Sequence, residues 1–266
     1  HPRRIHNWVP SHHEYNYEEF SVEGLHGWYF RNNESGQTIL HCHGNAGNIG
    51  DLSYMINLCK KQGFNLVVFD YHGYGQSNGN PSPNKVYQDG DTVYNYITKS
   101  LGVNPAQLII WGESLGGAVA THIASRHDCA NLVLLATFSS LDDILLDVHP
   151  GMPMSLACYI IRAAVNVMPS KEKIAQVRCP IIILHSRSDE IIPFASSLRM
   201  YNSIPHACKK FIEIKGTHAA PQLTSDILKE VLSFCCADTT QCYCVDELLK
   251  DIGDGKARPN LSMPLL

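Results

Sequence analysis

The 266-residue sequence has no uninterrupted run of about 18 apolar residues, the length that a helix needs to cross a bilayer. It also has no basic stripe with interleaved aromatic residues, and its formal net charge is −4, so we expect no nucleic-acid partner. Neither an internal repeat nor a linker divides the chain. With 44% hydrophobic and 17% charged residues, the sequence predicts a sizeable buried core.

Cysteine is abundant, with ten residues. Most of them, such as Cys59 and Cys158, lie inside apolar runs, which favours buried reduced thiols and an intracellular, reducing compartment. The run "CCADTTQCYC" at 235–244 has residues able to hold a metal, a lipid or disulfides. Its spacing matches no zinc signature, so we expect packing of the tail there, and neither a metal nor a cofactor.

Short apolar segments alternate with helical patterns over the first 236 residues. Helical spacing is clear in 51–63 and 84–102, and a last helix is expected at 222–234. Continuous Val, Ile and Leu runs between helices are typical of a mostly parallel sheet covered on both faces. The sequence predicts an α/β domain at 1–236, followed by a C-terminal tail at 237–266. Eight strands are expected, at 15–23, 25–30, 37–43, 64–70, 106–112, 131–137, 180–185 and 209–214.

One segment is longer than a crossover between parallel strands requires. Residues 138–176 are apolar and contain several prolines, which favours a cap or lid beside the sheet over additional core packing. We expect its apolar side chains to shape a substrate pocket, among them Leu145, Leu146, Met152, Met154 and Ile160.

The motif "GESLG" at 112–116 stands between a predicted strand and a predicted helix. A sharp turn there forces Ser114 into strained backbone angles and exposes its hydroxyl group. Gly112 and Gly116 keep side chains from colliding across the turn. The positive end of the new helix favours an oxyanion beside the serine. This context favours a nucleophilic serine over a serine that only caps the helix.

A nucleophilic serine needs a base, and the base needs an orienting carboxylate. His218 follows the last predicted strand, and Asp189 follows the strand before it, in the chain order that this architecture uses. Glu190 is the nearest competitor for the acid. Asp142 and Asp143, which follow an earlier strand, are the topological alternative.

Two backbone N–H groups are needed to stabilise an oxyanion, and we expect them from Leu115 and Asn45. Leu115 directly follows the serine, while Asn45 lies in "HGNAGN" after the third strand, where Gly44 permits close approach. His41 and His43 form a "HCH" pair on the strand that leads into this loop. No third ligand accompanies them, so they do not predict a metal site.

Four motifs together resemble the α/β-hydrolase superfamily, over roughly residues 20–236. They are "HGNAGNIG", "FDYHGYGQSNG", "GESLGG" and "HSRSDEIIPF" with a later "GTH". The chain is similar, more narrowly, to the α/β-hydrolase-domain proteins that include protein depalmitoylases and bacterial relatives. Members often carry an N-terminal membrane anchor. Since the chain begins at His1, the resemblance implies peripheral membrane association through a segment absent from this chain.

The resemblance implies a serine hydrolase with a Ser114–Asp189–His218 triad that cleaves esters or thioesters of a small-molecule or lipid-like acyl substrate, without a cofactor. A peptidase of the same fold and a non-catalytic binding module are the alternatives. Two departures from the family pattern stand near the triad. Ala219 and Ala220 follow the histidine in place of polar residues, and Ser186 stands where a glycine is usual.

Overall fold

The computed structural model describes residues 2–33, 36–148 and 168–236. Their centre is one sheet with the strand order β1-β2-β4-β3-β5-β6-β7-β8-β9. Strands β3 to β8 run parallel to one another, whereas β1, β2 and β9 pair in antiparallel fashion. The strands are β1 (Tyr17–Val22), β2 (Leu25–Phe30), β3 (Thr38–Cys42), β4 (Asn65–Asp70), β5 (Leu108–Glu113), β6 (Asn131–Leu135), β7 (Ile181–Ser186), β8 (Lys209–Gly216) and β9 (Pro221–Gln222).

The mostly parallel α/β sheet predicted from the sequence is confirmed. Its eight longer strands are those expected, and a ninth of two residues pairs with the end of β8. Two short 3₁₀ helices lie at Ile49–Asp51 and Pro105–Gln107. The α-helices of the described residues are α1 (Ser53–Gln62), α2 (Pro83–Lys99), α3 (Leu115–Arg126), α4 (Leu141–Val148), α5 (Ser170–Ile174), α6 (Phe194–Ser203) and α7 (Ser225–Cys236).

The helices cover both faces of the sheet because successive strand residues point to opposite sides. Val67 on β4 belongs to the apolar core beneath α2, α3, α5 and α6. Its neighbour Val68 belongs to the core beneath α1 and α7. Within the described residues, side chains therefore cover both faces of the sheet, and the ends of the strands are left for a site.

Local signals explain where the first two helices begin and end. Gly63 ends α1 with a φ of 75°, a left-handed conformation that glycine adopts without strain. Ser82 caps α2 by accepting a hydrogen bond from the amide of Lys85 at 3.2 Å. Pro83 then occupies the first turn, where its missing N–H costs nothing.

The predicted cap at 138–176 is described only at its two ends, by α4 and α5. Residues 149–167, with Met152, Met154 and Ile160, lie outside the described residues, and so does the predicted tail at 237–266. The boundaries of the cap and tail therefore stay predictions.

Six cysteines of the described residues are free thiols, namely Cys42, Cys59, Cys129, Cys179, Cys235 and Cys236. Cys42, Cys59 and Cys235 are buried, in keeping with their apolar sequence surroundings. The sulfur atoms of Cys129 and Cys179 lie 3.4 Å apart, where the chain approaches β6 and β7. None of the described helices combines the length and apolar character needed to cross a membrane.

Candidate active site

Ser114 lies at the corner between β5 and α3, at the carboxyl end of the parallel strands. Its φ and ψ angles are 52° and −117°, a conformation that non-glycine residues rarely adopt. The surroundings hold this strain in place. The amide of Ser114 donates to the carbonyl of Leu135 at 3.0 Å, and its own carbonyl accepts from the hydroxyl of Thr137 at 2.9 Å.

The two glycines of the motif allow the turn to be this tight. A Cβ on Gly116 would stand 2.0 Å from the carbonyl oxygen of Cys42, and one on Gly112 would stand 2.3 Å from the carbonyl oxygen of Gly116. Any larger residue would push α3 away from β3 and β5. The side chain of Ser114 is thus presented at the mouth of the sheet, ahead of the positive end of α3.

The structure brings Ser114, His218 and Asp189 into one hydrogen-bonded row. Oγ of Ser114 lies 3.0 Å from Nε2 of His218. Nδ1 of His218 lies 2.8 Å from Oδ2 of Asp189. Asp189 lies in the loop that follows the carboxyl end of β7, and His218 lies in the loop that follows the carboxyl end of β8. The row has the geometry of a nucleophile, its base and an orienting acid.

Asp189 is held by more than the histidine. Its Oδ1 accepts from the amides of Ile191 at 2.9 Å and Ile192 at 2.8 Å. Nε2 of His185 lies 3.2 Å from Oδ2. Burial on its own raises the pKa of Asp189, but the hydrogen bonds from His185, His218 and the two amides outweigh burial and lower that pKa. The carboxylate is therefore ionised and fixed in orientation.

The competing acids occupy other positions. Glu190 accepts a hydrogen bond from the backbone amide of His218 at 3.0 Å, so it fixes the loop rather than the ring. Asp143 stands at the start of α4, beside Asp142, and binds Ser139 at 2.7 Å and Lys171 at 3.0 Å.

Asn45 and Leu115 both line the cavity beside Ser114. The loop of Asn45 passes close to the serine, since a Cβ on Gly44 would stand 3.6 Å from Cβ of Ser114. The hydroxyl of Tyr74 donates to the side-chain oxygen of Asn45 at 2.6 Å and fixes this loop. Sequence reasoning missed this anchor, although Tyr74 belongs to the quoted motif "FDYHGYGQSNG".

The sequence also did not indicate a partly buried carboxylate directly beside the serine. Oε1 of Glu113 lies 3.2 Å from Nε2 of His41 and accepts from the hydroxyl of Tyr54. Burial raises the pKa of Glu113, but the charge and hydrogen bonding of His41 and the bond from Tyr54 prevail and lower it. No sequence pattern links these residues, because they are far apart along the chain. Glu113 and Tyr54 form a polar patch in the cavity wall.

A cavity of about 1160 Å³ opens beside Ser114 and His218. Its wall is mainly apolar, which suits a substrate with a hydrocarbon portion. The described part of the predicted cap contributes to this wall, although Leu145 and Leu146 do not. Apolar side chains of the lining include Phe138, Leu141, Ile144, Met168 and Ile192.

Both departures from the family pattern have local explanations. Ala219 and Ala220 line the cavity next to His218 and extend its apolar wall. Ser186 donates to the carbonyl of Gly216 at 2.5 Å and accepts from the amide of Ser188 at 3.0 Å. The serine therefore ties the acid's loop to the histidine's loop.

Comparison with known proteins identifies relatives over about three quarters of the chain. A model of the α/β hydrolase fold matches residues 37–173. Alpha/beta hydrolase domain-containing protein 17C of Mus musculus is 30% identical over 198 residues, which are 74% of this chain and 59% of that protein. An uncharacterized protein of Mycobacterium tuberculosis is 32% identical over 202 residues, 75% of this chain and 69% of that protein. The match thus spans little more than half of the mouse protein.

Solved structures share the fold at low sequence identity. An esterase of Pyrococcus furiosus superposes with a TM-score of 0.68 at 16% identity, covering 91% of this chain and 96% of the esterase. A monoacylglycerol lipase of Paleococcus ferrophilus superposes with a TM-score of 0.60 at 20% identity. The superposition covers 79% of this chain and 98% of the lipase. The matching model covers more than half of the sequence, and the mouse and mycobacterial relatives align over three quarters of it. By fold and by sequence, this chain belongs to the α/β-hydrolase family.

Proposed function

We propose that this protein is a serine hydrolase that cleaves carboxylic ester or thioester bonds of an acyl substrate. The observation that carries the proposal is the Ser114–His218–Asp189 row at the mouth of a mainly apolar cavity. The names of the esterase and the lipase that share this fold agree with it.

In the proposed first step, Oγ of Ser114 attacks the acyl carbonyl carbon while Nε2 of His218 takes the hydroxyl proton. Asp189 keeps the other ring nitrogen protonated and stabilises the imidazolium ion. The backbone N–H groups of Asn45 and Leu115 stabilise the oxyanion. The intermediate collapses to an acyl-enzyme as the alcohol or thiol leaves with the proton from His218.

In the second step, a water molecule attacks the acyl-enzyme and gives a proton to His218. The new tetrahedral intermediate releases the acid, and the proton returns to Oγ of Ser114. The apolar cavity holds the acyl chain during both steps. This arrangement favours a substrate with a hydrocarbon chain over a small polar ester.

Labelling with a fluorophosphonate probe, followed by a substrate panel, tests the proposal. The probe is expected to modify Ser114. In Ser114→Ala, labelling should be lost and turnover should fall about 10⁶-fold, while the melting temperature is unchanged. Ser125→Ala changes a serine at the opposite end of α3 from Ser114 and is the control, with labelling and turnover as in the parent.

The panel contains p-nitrophenyl esters of acetate and of a long fatty acid, an acyl thioester and a peptide anilide. Faster cleavage of the anilide than of any ester would instead favour a peptidase. A parent protein that neither reacts with the probe nor cleaves any of the four would contradict a hydrolase and favour a binding module.

A further inference from the structure

A second buried charge cluster lies at the end of β4, apart from the proposed catalytic row. Asp70 is fully buried there. Nε2 of His6 lies 2.7 Å from its Oδ2, and Nδ1 of His26 lies 3.7 Å from the same oxygen. Nε2 of His43 lies 3.8 Å from the other oxygen, Oδ1. One carboxylate is therefore surrounded by three imidazole rings.

The neighbours of His26 determine which ring nitrogen has a free electron pair. Nε2 of His26 contacts the carboxylate of Glu19, so this nitrogen carries the hydrogen. In the neutral ring, Nδ1 then presents its lone pair to Asp70. Within the described residues, Nδ1 is buried and has no hydrogen-bond partner. Burial lowers the pKa of His26, but Asp70 and Glu19 outweigh burial and raise that pKa, so a proton on Nδ1 competes for this place. In the neutral ring, the electron pairs of Nδ1 and Oδ2 face each other across 3.7 Å, and a metal ion between them would bind both.

A carboxylate behind the ring is also the usual outer partner of a metal-binding histidine, because it orients the ring and raises its basicity. Glu19 has this relation to His26 and lies at the surface, with about half of its side chain exposed. The residue thus supports the site from the outside without entering the core.

The N-terminal segment, residues 2–9, holds His6 in place before any ligand arrives. The carbonyl of Arg3 accepts from the amide of Gly75 at 2.9 Å, and the carbonyl of Ile5 accepts from the side chain of Asn48 at 2.8 Å. The His6 side chain is only 3% exposed. Little ordering is therefore required for His6 to act as a ligand.

We propose that His6, His26 and Asp70 form a binding site for a divalent transition-metal ion, with zinc as the best fit. The three ligand atoms lie within 4.8 Å of one another. Zinc accepts imidazole nitrogen and carboxylate oxygen at about 2.0–2.2 Å, and three protein ligands leave a fourth position for water. The sequence had indicated no metal, since it gave no reason to group these residues.

Binding requires a change of tautomer in His6. Its Nε2 now shares a hydrogen with Asp70 and must give its electron pair to the metal instead. The hydrogen moves to Nδ1, which lies 3.4 Å from the side-chain amide of Gln76. That amide turns its oxygen toward the ring and accepts the hydrogen.

The ion would have a structural effect rather than a chemical one. Oδ1 of Asp70 accepts from the amide of Ile49 at 3.0 Å, just beyond the loop that carries Asn45. A metal on Asp70 and His6 would fasten the N-terminal segment to this part of the domain. The expected result is a higher melting temperature in zinc.

The experiment uses the full chain, stripped with EDTA, desalted and titrated near neutral pH with zinc and, separately, with cobalt(II). Tight binding with a zinc-dependent rise in melting temperature is expected, with a cobalt spectrum that lacks thiolate charge-transfer bands. Glu19→Ala is expected to weaken binding at least about tenfold. His6→Gln is expected to remove the zinc-dependent rise, even if its metal-free melting temperature is already lower.

His13→Gln changes an exposed histidine of the same region and is the matched control, with binding as in the parent. Three results would overturn the proposal. They are no saturable binding of either metal, cobalt bands that show cysteine ligation, and equal affinity in Glu19→Ala, His6→Gln and the parent. None of these readouts depends on hydrolysis, so the site and the proposed function succeed or fail separately.

Discussion

At the scale of single residues, the site depends on a few positions that hydrogen bonds to the main chain or from it hold in place. Ser114 keeps a positive φ because Leu135 and Thr137 bind its amide and carbonyl. Asp189 keeps its orientation because the amides of Ile191 and Ile192 bind one of its oxygens. Such residues are expected to show large losses of activity on substitution with small losses of stability.

Asp189→Asn is expected to lower kcat about 10⁴-fold. The amide would present a different hydrogen-bonding pattern to Nδ1 of His218 and so favour the wrong tautomer of the base. Steady-state kinetics on a p-nitrophenyl ester measure the loss. Glu190→Gln is the matched control, because Glu190 binds the backbone amide of the histidine, whereas Asp189 binds its ring. A loss of the same size in Glu190→Gln would indicate that Glu190 also orients the histidine.

At the scale of elements, α4 is the helix through which the described part of the predicted cap lines the cavity. Leu141 and Ile144 line the cavity wall, whereas Leu146 on the same helix is 39% exposed and does not. Residues on one helix that are three apart share a face, and this accounts for the pair that lines the wall. The helix thus offers substitutions that separate a pocket effect from an effect on stability.

Ile144→Asn is expected to lower kcat/KM for a long-chain ester about tenfold more than for an acetate ester. The reason is that a polar side chain in the wall weakens only the binding of the hydrocarbon. Leu146→Asn is the control on the same helix and should leave the ratio of the two substrates unchanged. Equal losses on both esters in Ile144→Asn would indicate destabilisation instead of a changed pocket.

At the scale of the whole molecule, the sequence predicted the parts that follow local rules. The eight longer strands follow from apolar runs, and Ser114 follows from a motif between a strand and a helix. His218 and Asp189 follow from the order of strands. The contact of His6 with Asp70 joins residues 64 positions apart and has no periodic signal. Likewise, the two residues of β9 are too few for a pattern.

Several carboxylates of the molecule respond to pH in the same direction. Burial raises the pKa of Asp91, Glu113 and Asp189, but their hydrogen bonds outweigh burial and leave each pKa below its ordinary value. A group of this kind stabilises the fold fully above its unfolded-state pKa, about 3.9 for aspartate. That contribution is lost as the pH falls toward the folded-state value.

The free energy of unfolding is therefore expected to decrease as the pH falls from about 5 to about 3. Asp189→Asn removes one of the responsible groups. The free energy of unfolding of this variant should therefore fall less steeply over this range, even though its value at the upper end of the range is below that of the parent. Urea denaturation at a series of pH values measures both slopes. Glu190→Gln, which leaves Asp189 and its bonds to His185 and His218 in place, should retain this part of the slope. Parallel curves for Asp189→Asn and the parent would mean that the bonds around Asp189 orient the carboxylate without stabilising its charge.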